Sequence, residues 1–455
     1  MKNVKLGKFW DSLHSSYWFV PTILAIVAFA LAFTMLELDR TGYYGPLEKW
    51  GWIYAGGPEG ARSLLSAVAG SIISVAATAF SITIVALQLA ASNYSPRLLR
   101  NFMQDVGNQI VLGVFIGTFI YCLLVLRTVR GDGDDYDRFV PQISVTVGIV
   151  LALTSIGVLI YFIHHASTII QVSHIISEAS VDLHRAIERL FPEEIGRSLP
   201  KSKQHFQAIP DNFERDAYLV KAKNSGYLQA IDDEELMKIA QTRKLLLQIK
   251  SRPGRFVVKG SNLVMVFPGE CVNRKLCQQI NDAFVFGRQR TEQQDVEFPI
   301  NQLVDIALRA ISPGINDPTT AIQCIDSLSA GLSHLAQREI PSPYRYDDNN
   351  NLRVIAEPFT FAGLTDAAFN QIRQYGKSDV GVVIRMLEAI ATIATYTRDH
   401  LERTALLRHA EMIKQDSYQS VSQEQDKKEI EQRYQAVLKV LQQSTDSQKS
   451  ATWTQ

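Results

Sequence analysis

Residues 63–92 read SLLSAVAGSIISVAATAFSITIVALQLAAS and contain no Asp, Glu, Lys or Arg. An α-helix rises about 1.5 Å per residue, so about 20 apolar residues cross the roughly 30 Å hydrocarbon core of a bilayer. The apolar part of the stretch, 64–91, is long enough to do so. It therefore predicts a transmembrane helix, and this prediction decides the fold class.

Three more apolar runs lie on either side of it, at 18–36, 110–126 and 140–163, and they also lack charged residues. Tryptophan and tyrosine mark several of their ends, as in the aromatic belts of membrane interfaces. The first run is too long for the apolar segment of a cleavable signal. We therefore predict a four-helix transmembrane domain over residues 1–163.

The remainder of the chain has the polar patterning of a protein in water. Helical periodicity followed by a polar, proline-containing segment predicts a stalk helix and linker at 164–216. Short β-type runs separated by turns predict a small β-rich α+β unit at 217–297. A mostly helical domain is expected at 298–443, and the polar end, 444–455, is expected to be disordered. The predicted fold class is thus a membrane α-helical domain joined to an α+β region.

The side of the membrane follows from the number of spans and from the cysteines. Four spans place both termini on the same side. The chain has four cysteines, whose spacing suggests neither a zinc site nor a disulfide framework. Free thiols are typical of a reducing compartment. We therefore expect both termini and the α+β region to lie in the cytosol.

Read in steps of three and four residues, the 63–92 helix carries a stripe of small and hydroxylated side chains. The polar members that we single out are Ser71, Ser74, Thr78, Ser81 and Gln88. One interpretation is tight packing against other helices, where small residues allow close approach. The other is the wall of a passive pathway, with Gln88 as its most polar point. The sequence leaves both interpretations open.

None of the four predicted spans contains an acidic or basic residue. Ion-coupled and proton-coupled transporters usually need one, because intramembrane ionisable groups carry the coupling. Coupled transport is therefore disfavoured. A passive pore lined by hydroxyl groups and backbone carbonyls remains possible on this evidence.

The sequence SPGINDP at 312–318 separates two helical patterns. Asp317 is placed as a helix N-cap and Pro318 at the first helical position, where its missing N–H costs nothing. This pattern predicts a corner between helices rather than an anion site, since the Asp317 carboxylate would repel a phosphate. We predict a structural polar network there, formed by Arg290, Asp295, Asp305, Arg309, Asn316 and Asp317.

The chain lacks a Walker loop and the HExxH, GxSxG and strand-borne GxGxxG motifs. Its formal net charge is zero, so no basic field favours nucleic acid. We therefore expect no enzymatic activity, no catalytic residues, no nucleic-acid partner, and no metal or other cofactor.

Three segments resemble a known family. They are FSITIVALQLAASNYSPRLLRNFMQD at 80–105, FGRQRTEQQDVEFPI at 286–300 and LVDIALRAISPGINDPTTAIQCIDSL at 303–328. Together they resemble the bacterial predicted membrane proteins called domain of unknown function 2254, over most of the chain. The resemblance implies an N-terminal multi-span region, a C-terminal cytosolic region and a place in the bacterial inner membrane. It brings no activity or catalytic residues with it.

Two hypotheses follow. The first is a homo-oligomeric, channel-like protein in the lipid bilayer, with the 63–92 helix lining an ion pathway and the cytosolic domain assembling or gating it. The alternative is a membrane-anchored regulatory or interaction module that transports nothing and binds a cytosolic protein partner.

Overall fold

The structure is a computed structural model, and it describes residues 17–41, 53–93, 105–131, 138–169, 171–191, 209–397 and 399–451. The chain divides into two compact units, Lys2–His174 and Ile175–Gln455. We call them the N-terminal unit and the C-terminal unit and describe each by itself.

The N-terminal unit contains four long helices. They are α1 (Phe19–Arg40), α2 (Pro58–Asn93), α3 (Val106–Leu126) and α4 (Gln142–Ile169). All four are long and apolar enough to cross a membrane, with mean hydropathy values between 2.0 and 2.5. The prediction of four apolar helices in this part of the chain is confirmed.

Helix α3 is the central helix of this unit and packs against α1, α2 and α4. Half of its apolar window is buried, compared with 22–28% for the other three helices. Two glycines allow α1 to approach closely. A Cβ at Gly113 would lie 2.5 Å from the Leu24 side chain, and one at Gly117 would lie 3.3 Å from Ala28 Cβ. The three peripheral helices therefore keep broad outward faces.

The expectation that the spans contain no acidic residue needs correction at the end of α1. The helix continues past residue 36 to Arg40 and so includes Asp39, which is buried. Its carboxylate accepts the N–H groups of Ile143 and Ser144, both at 2.9 Å, and the Ser144 hydroxyl at 2.6 Å. These donors lie in the first turn of α4, where backbone N–H groups have no partner within the helix. Burial of the carboxylate is tolerated because it caps that helix.

The C-terminal unit contains two sheets. The strands are β1 (Tyr218–Lys221), β2 (Gly226–Ile231), β3 (Leu246–Ile249), β4 (Phe256–Val257), β5 (Asn262–Phe267), β6 (Phe284–Gly287), β7 (Tyr344–Tyr346) and β8 (Leu352–Ile355). Five form a sheet in the order β1-β5-β3-β8-β7, and three form a sheet in the order β4-β2-β6. Leu228, Leu247 and Leu263 are among the fully buried residues of the main core.

The β-rich part therefore extends beyond the predicted boundary at residue 297. The hairpin β7–β8 follows two helices in the chain, yet β8 pairs in parallel with β3, with Leu247 opposite Val354. The reason is apolar burial, because Leu352 and Ile355 pack in one cluster with Phe213, Leu246 and Met265.

The helices of this unit are α5 (Val172–Leu190), α6 (Phe213–Asp216), α7 (Asp233–Arg243), α8 (Arg274–Asp282), α9 (Glu297–Ala310), α10 (Pro318–Leu335), α11 (Phe361–Gly376), α12 (Val380–Tyr396), α13 (His400–Ser420) and α14 (Glu424–Ala451). Helix α12 packs against α10, α13 and α14. The helix α14 extends beyond residue 443, where a disordered tail was expected, and 452–455 lie outside the described residues. So does 192–208, which contains most of the predicted linker.

Candidate functional site

The predicted stripe of α2 lies on the outward face of the N-terminal unit. Its members Ser71, Ser74, Thr78, Ser81 and Gln88 are all exposed. The buried residues of the same helix are Ala61, Leu65, Ala69, Ile72, Ala76, Ala79, Thr83 and Ala86. At about 100° per residue, the stripe is centred roughly opposite this buried face. The described helices of the same chain therefore do not cover the stripe.

Three hydroxyl groups of the stripe bond to the backbone of their own helix. Ser71 donates to the Val68 carbonyl at 3.1 Å, Ser74 to that of Gly70 at 2.9 Å, and Thr78 to that of Ser74 at 3.0 Å. A hydroxyl that donates in this way keeps oxygen lone pairs on the surface. The face is therefore compatible with an apolar medium and can also contact water or ions.

Large apolar side chains flank the stripe on both sides. Ile73, Phe80 and Ile84 lie along one flank and Ile82 and Leu89 along the other, and their exposed fractions range from 41 to 53%. Gln88 lies near the end of the apolar stretch at 64–91. The outward half of α2 thus combines a narrow polar band, apolar borders and an amide at one end.

A second polar group lies where α3 begins and α4 ends. Asp105 caps α3 by accepting the Asn108 N–H at 2.8 Å, and it lies 2.9 Å from His165 Nε2. The Tyr161 ring stacks on His165 with 5.1 Å between ring centroids. The Asn108 side chain is buried, and its amide has no hydrogen-bond partner in the part of the chain that the structure describes. This end of the N-terminal unit is therefore polar.

In the C-terminal unit, the structure brings Arg290 and Asp295 together just before α9. Arg290 donates to both Asp295 oxygens, from Nε at 2.7 Å and from Nη2 at 2.9 Å. Asp295 also accepts the Glu297 N–H at 3.1 Å, and Glu297 binds Arg252. Burial raises the pKa of Asp295, and the attraction of Arg290 offsets part of that rise. The group is a closed ion-pair network rather than an open binding site.

The turn at 252–254 explains why Arg252 reaches this network. Gly254 has φ +90, and a Cβ there would lie 2.3 Å from Asp295 Oδ2, so only glycine fits. The Arg252 guanidinium lies over the Phe359 ring, 4.6 Å from its centroid. Arg252 and Glu297 were not predicted as members of the network. The Arg-Pro-Gly sequence predicts the turn itself, but it does not indicate which residue Arg252 contacts.

The other predicted members lie further along α9 or beyond its end. Asp317 caps α10 by accepting the Thr320 N–H at 3.2 Å and its hydroxyl at 2.6 Å, and Pro318 begins that helix. Asn316 adopts φ 51 in the corner. Asp305 and Arg309 lie on α9, between the Arg290–Asp295 pair before the helix and the Asn316–Asp317 corner after it. Because α9 spans about 20 Å, the structure places the six residues at both ends of a helix and along it, not in one cluster.

Comparison with known proteins finds one matching family model and several relatives of the chain. A family model described as "Predicted membrane protein (DUF2254)" matches residues 14–392. Uncharacterised proteins of Mycobacterium bovis and of two strains of Mycobacterium tuberculosis are each 30% identical to the chain over 427 residues. The match covers 92% of this chain and 79% of each relative. No solved structure matches.

Proposed function

The chain belongs to this family of predicted membrane proteins, and from that premise we propose that it forms a homo-oligomeric, channel-like assembly with a passive ion pathway lined by α2. One observation carries the proposal. The polar stripe of the helix is turned away from the other helices that the structure describes in the N-terminal unit.

The arrangement of α2 suits a shared axis. If several copies place α2 around one axis, Ser74, Thr78 and the rest of the stripe face the axis while the apolar flanks contact neighbouring copies. Because the Ser74 and Thr78 hydroxyl groups already donate to their own helix, their oxygens can accept from water or contact a cation without a further conformational change. The apolar flanks supply contact area that a single chain leaves exposed.

Passive conduction is favoured over coupled transport. The outward face of α2 from 63 to 92 has no charged side chain. Asp39 is engaged as the cap of α4, so its carboxylate is not available as a carrier of protons or ions along α2. An intramembrane carboxylate without such partners would instead have pointed to a coupled mechanism.

The proposal places the N-terminal unit in a bacterial inner membrane. Both termini and the C-terminal unit then lie in the cytosol, since four spans return the chain to the side where it began. In this arrangement the C-terminal unit assembles or gates the pathway. The alternative is a membrane-anchored regulatory module, and the bonding of the stripe to its own helix is the observation that favours it, since such a face also tolerates lipid.

The test is ion flux into liposomes that contain the purified full-length chain. Thr78→Leu should remove most of the flux, because it replaces a polar position of the stripe with a bulky apolar one. Thr154→Leu is the matched control, since Thr154 is an exposed threonine of α4 with the same bond to the carbonyl four residues earlier. No flux from an intact oligomer, or equal flux in both variants, would reject the channel and favour the anchored module.

A further inference from the structure

The strands of the C-terminal unit carry an exposed basic surface at one end. Residues 218–231 and 244–267, which contain β1 to β5, include seven Lys or Arg and no Asp or Glu. Four of these lysines lie where β1 and β3 end and where the chain connects β4 to β5. They are Lys221, Lys223, Lys250 and Lys259, and all four are exposed. We call this surface the basic tip.

Backbone hydrogen bonds bring the segments of the basic tip together. The Ala222 N–H donates to the Ser261 carbonyl at 2.9 Å, so residues 221–223 lie beside the β4–β5 connection. The Lys250 N–H donates to the Leu263 carbonyl at 3.0 Å, so the end of β3 lies beside the start of β5. Neighbouring strands are about 4.8 Å apart. The four lysines therefore lie within a few strand spacings of one another.

The β4–β5 connection is a tight turn that presents Val258 and Lys259. The Ser261 N–H donates to the Val258 carbonyl at 3.0 Å, and Gly260 has φ +88, as a type II turn requires at its third residue. The Lys259 N–H donates to the Ser225 hydroxyl at 2.8 Å. The turn is therefore fixed before any partner binds.

The positive charges of the basic tip are not neutralised by ion pairs. None of its four lysines forms an ion pair within the residues that the structure describes. Asp282 is close to them in the fold, because it follows Asn281, whose side chain accepts the Lys223 N–H at 3.0 Å and donates to the Lys221 carbonyl at 3.1 Å. One carboxylate beside four ammonium groups leaves an excess of positive charge, which favours a polyanionic partner.

Exposed apolar side chains lie beside these charges. Phe256 is 57% exposed and Val258 is 58% exposed. The two are on the same side of an extended segment, since side chains alternate along it, and Val257 between them is buried in the main core. The Tyr227 ring packs edge-on against Phe256, with 5.2 Å between ring centroids. Lysines bordering an exposed aromatic and aliphatic edge are typical of surfaces that enter the headgroup region of a bilayer.

We propose that the basic tip docks on the surface of a bilayer that contains anionic phospholipids. Its lysines contact the headgroup phosphates, and Val258 and Phe256 enter the interface between headgroups and acyl chains. Lipid is favoured over nucleic acid because an aliphatic side chain such as Val258 gains from burial in hydrocarbon but offers no ring on which a base can stack.

The membrane character of the family also favours lipid. A chain of a predicted membrane protein family would always have a bilayer nearby, so the effective concentration of headgroups around its C-terminal unit is high. The inference goes beyond the channel proposal and does not depend on it, because docking can be measured whether or not the protein conducts ions.

Sedimentation with liposomes tests the proposal. The full-length chain is held in nanodiscs of phosphatidylcholine and mixed with liposomes of phosphatidylcholine that either contain or lack phosphatidylglycerol. Binding should be at least about tenfold tighter with phosphatidylglycerol. It should be lost at about 1 M salt, where the Debye length is only about 3 Å. Absence of binding to the anionic liposomes, or equal binding to both kinds, would overturn the proposal.

Charge variants locate the contact on the basic tip. Each lysine near an anionic surface contributes about fivefold to binding, so replacing all four with Gln should weaken binding about a hundredfold or more. The substitutions are Lys221→Gln, Lys223→Gln, Lys250→Gln and Lys259→Gln. The control removes the same charge from four exposed lysines elsewhere in the unit, with Lys238→Gln, Lys377→Gln, Lys428→Gln and Lys439→Gln. Unchanged binding in the first variant, or equal losses in both, would assign the binding to another surface.

The apolar edge and the identity of the polyanion are tested separately. Val258→Ser should weaken binding about threefold and leave the Tm unchanged, whereas Leu401→Ser, at a 74% exposed position on α13, should not change binding. Duplex DNA and polyglutamate are added as competitors at the same concentration of negative charge as the liposomes. If either binds more tightly than the anionic liposomes, the partner is a different polyanion and the lipid proposal is wrong.

Discussion

The two units of the molecule differ in the polar contacts that connect their elements. Within helices they are alike, because hydroxyl groups in both units donate to carbonyls of the same helix, as Thr365, Thr392 and Thr404 do in the C-terminal unit. Many hydroxyl groups of the N-terminal unit bond in this way. Thr22 donates to Trp18, Thr78 to Ser74 and Thr154 to Val150, each to the carbonyl four residues earlier. These bonds hold each helix to itself. Between α3 and α4, the Thr118 and Ser155 hydroxyl oxygens lie 3.1 Å apart and Tyr121 donates to the Ser144 carbonyl at 2.9 Å, and the other contacts between helices rest mainly on alanine, glycine and larger apolar residues.

In the C-terminal unit, ion pairs connect different elements. Arg252 in the turn before β4 binds Glu297 at the start of α9, Arg353 binds Asp347 across the β7–β8 turn, and Arg385 on α12 binds Asp326 on α10. Arg373 on α11 likewise binds Asp416 on α13. These pairs fix the positions of elements relative to one another, in addition to the apolar core.

In the bilayer placement proposed above, the difference in ion pairs follows from the medium around each unit. Hydrocarbon has no water to solvate a charged side chain, so ion pairs between helices are costly there. At a partly hydrated surface the charged groups lose less solvation free energy, so ion pairs between elements are tolerated there. Asp39 is an exception in the N-terminal unit, because its bonds join helices more than 100 residues apart in sequence.

The largest effect should come from breaking the buried ion pair that lies just before α9. Asp295→Ala leaves Arg290 mostly buried beside Glu297 without its main partner. Removal of one member of a buried pair typically costs about 3–5 kcal/mol, because the remaining charge is left uncompensated. We expect a loss of about that size in the free energy of unfolding of the C-terminal unit, measured by denaturant titration of the full-length chain.

Two companion variants sharpen this result. Asp216→Ala removes an exposed carboxylate that pairs with Arg215, and it should cause no measurable change. The double variant Arg290→Met with Asp295→Leu should recover much of the lost stability, since apolar replacements of a buried pair are often tolerated. A single variant as stable as the original chain would show that the pair does not hold the unit together.

A smaller loss is expected from Asp39→Ala, which tests the exception in the N-terminal unit. The substitution removes the acceptor for two backbone N–H groups and one hydroxyl at the start of α4. Loss of a helix cap typically costs about 1–2 kcal/mol. The Tm of this unit in detergent should fall accordingly. Glu37→Ala is the control, because it removes an exposed partner of Arg40 and should leave the Tm unchanged. Equal Tm values for the two variants would show that the Asp39 cap does not stabilise the unit.

Much of the N-terminal unit could be predicted from sequence because its determinants are local. Apolar length alone indicates the four helices, and a periodicity of three to four residues indicates the stripe of α2. The length of α1 was underestimated, because the predicted span ended at Leu36, the last residue before the charged Glu37 and Asp39. The role of Asp39 depends on α4, more than 100 residues later, and no local pattern reveals it.

The C-terminal unit was less predictable for the same physical reason. The Asp317 cap and the Pro318 helix start were visible, since both are set by adjacent residues. The link from Arg252 to Glu297 depends on a turn that brings together residues 45 apart. The β7–β8 hairpin joins β3 because Leu352 and Ile355 complete an apolar cluster formed by distant segments. Contacts of this kind depend on the folded arrangement.

The last effect, similar in size to that of Asp39→Ala, concerns a carboxylate that its surroundings do not fully compensate. Burial, followed by the neighbouring Glu292 and Glu178, raises the pKa of Asp182 from 3.8 to about 6, although Arg185 and Arg189 act against the rise. Because the folded pKa is above the unfolded one, the folded state binds more protons between these values. Its stability is therefore highest in acid and falls as pH rises from about 4 to about 6.

Asp182→Asn removes this loss, because an amide does not ionise. We expect the variant to be more stable than the original chain by about 1–2 kcal/mol at about pH 7.5, and the gain should vanish near pH 4. Denaturant titrations at both pH values measure this, with the exposed Asp211→Asn as the control for a generic charge effect. A gain that is equal at both pH values would mean that ionisation of Asp182 is not its source. A gain confined to neutral pH would show that the C-terminal unit, despite its many ion pairs, retains an acidic side chain at a net cost.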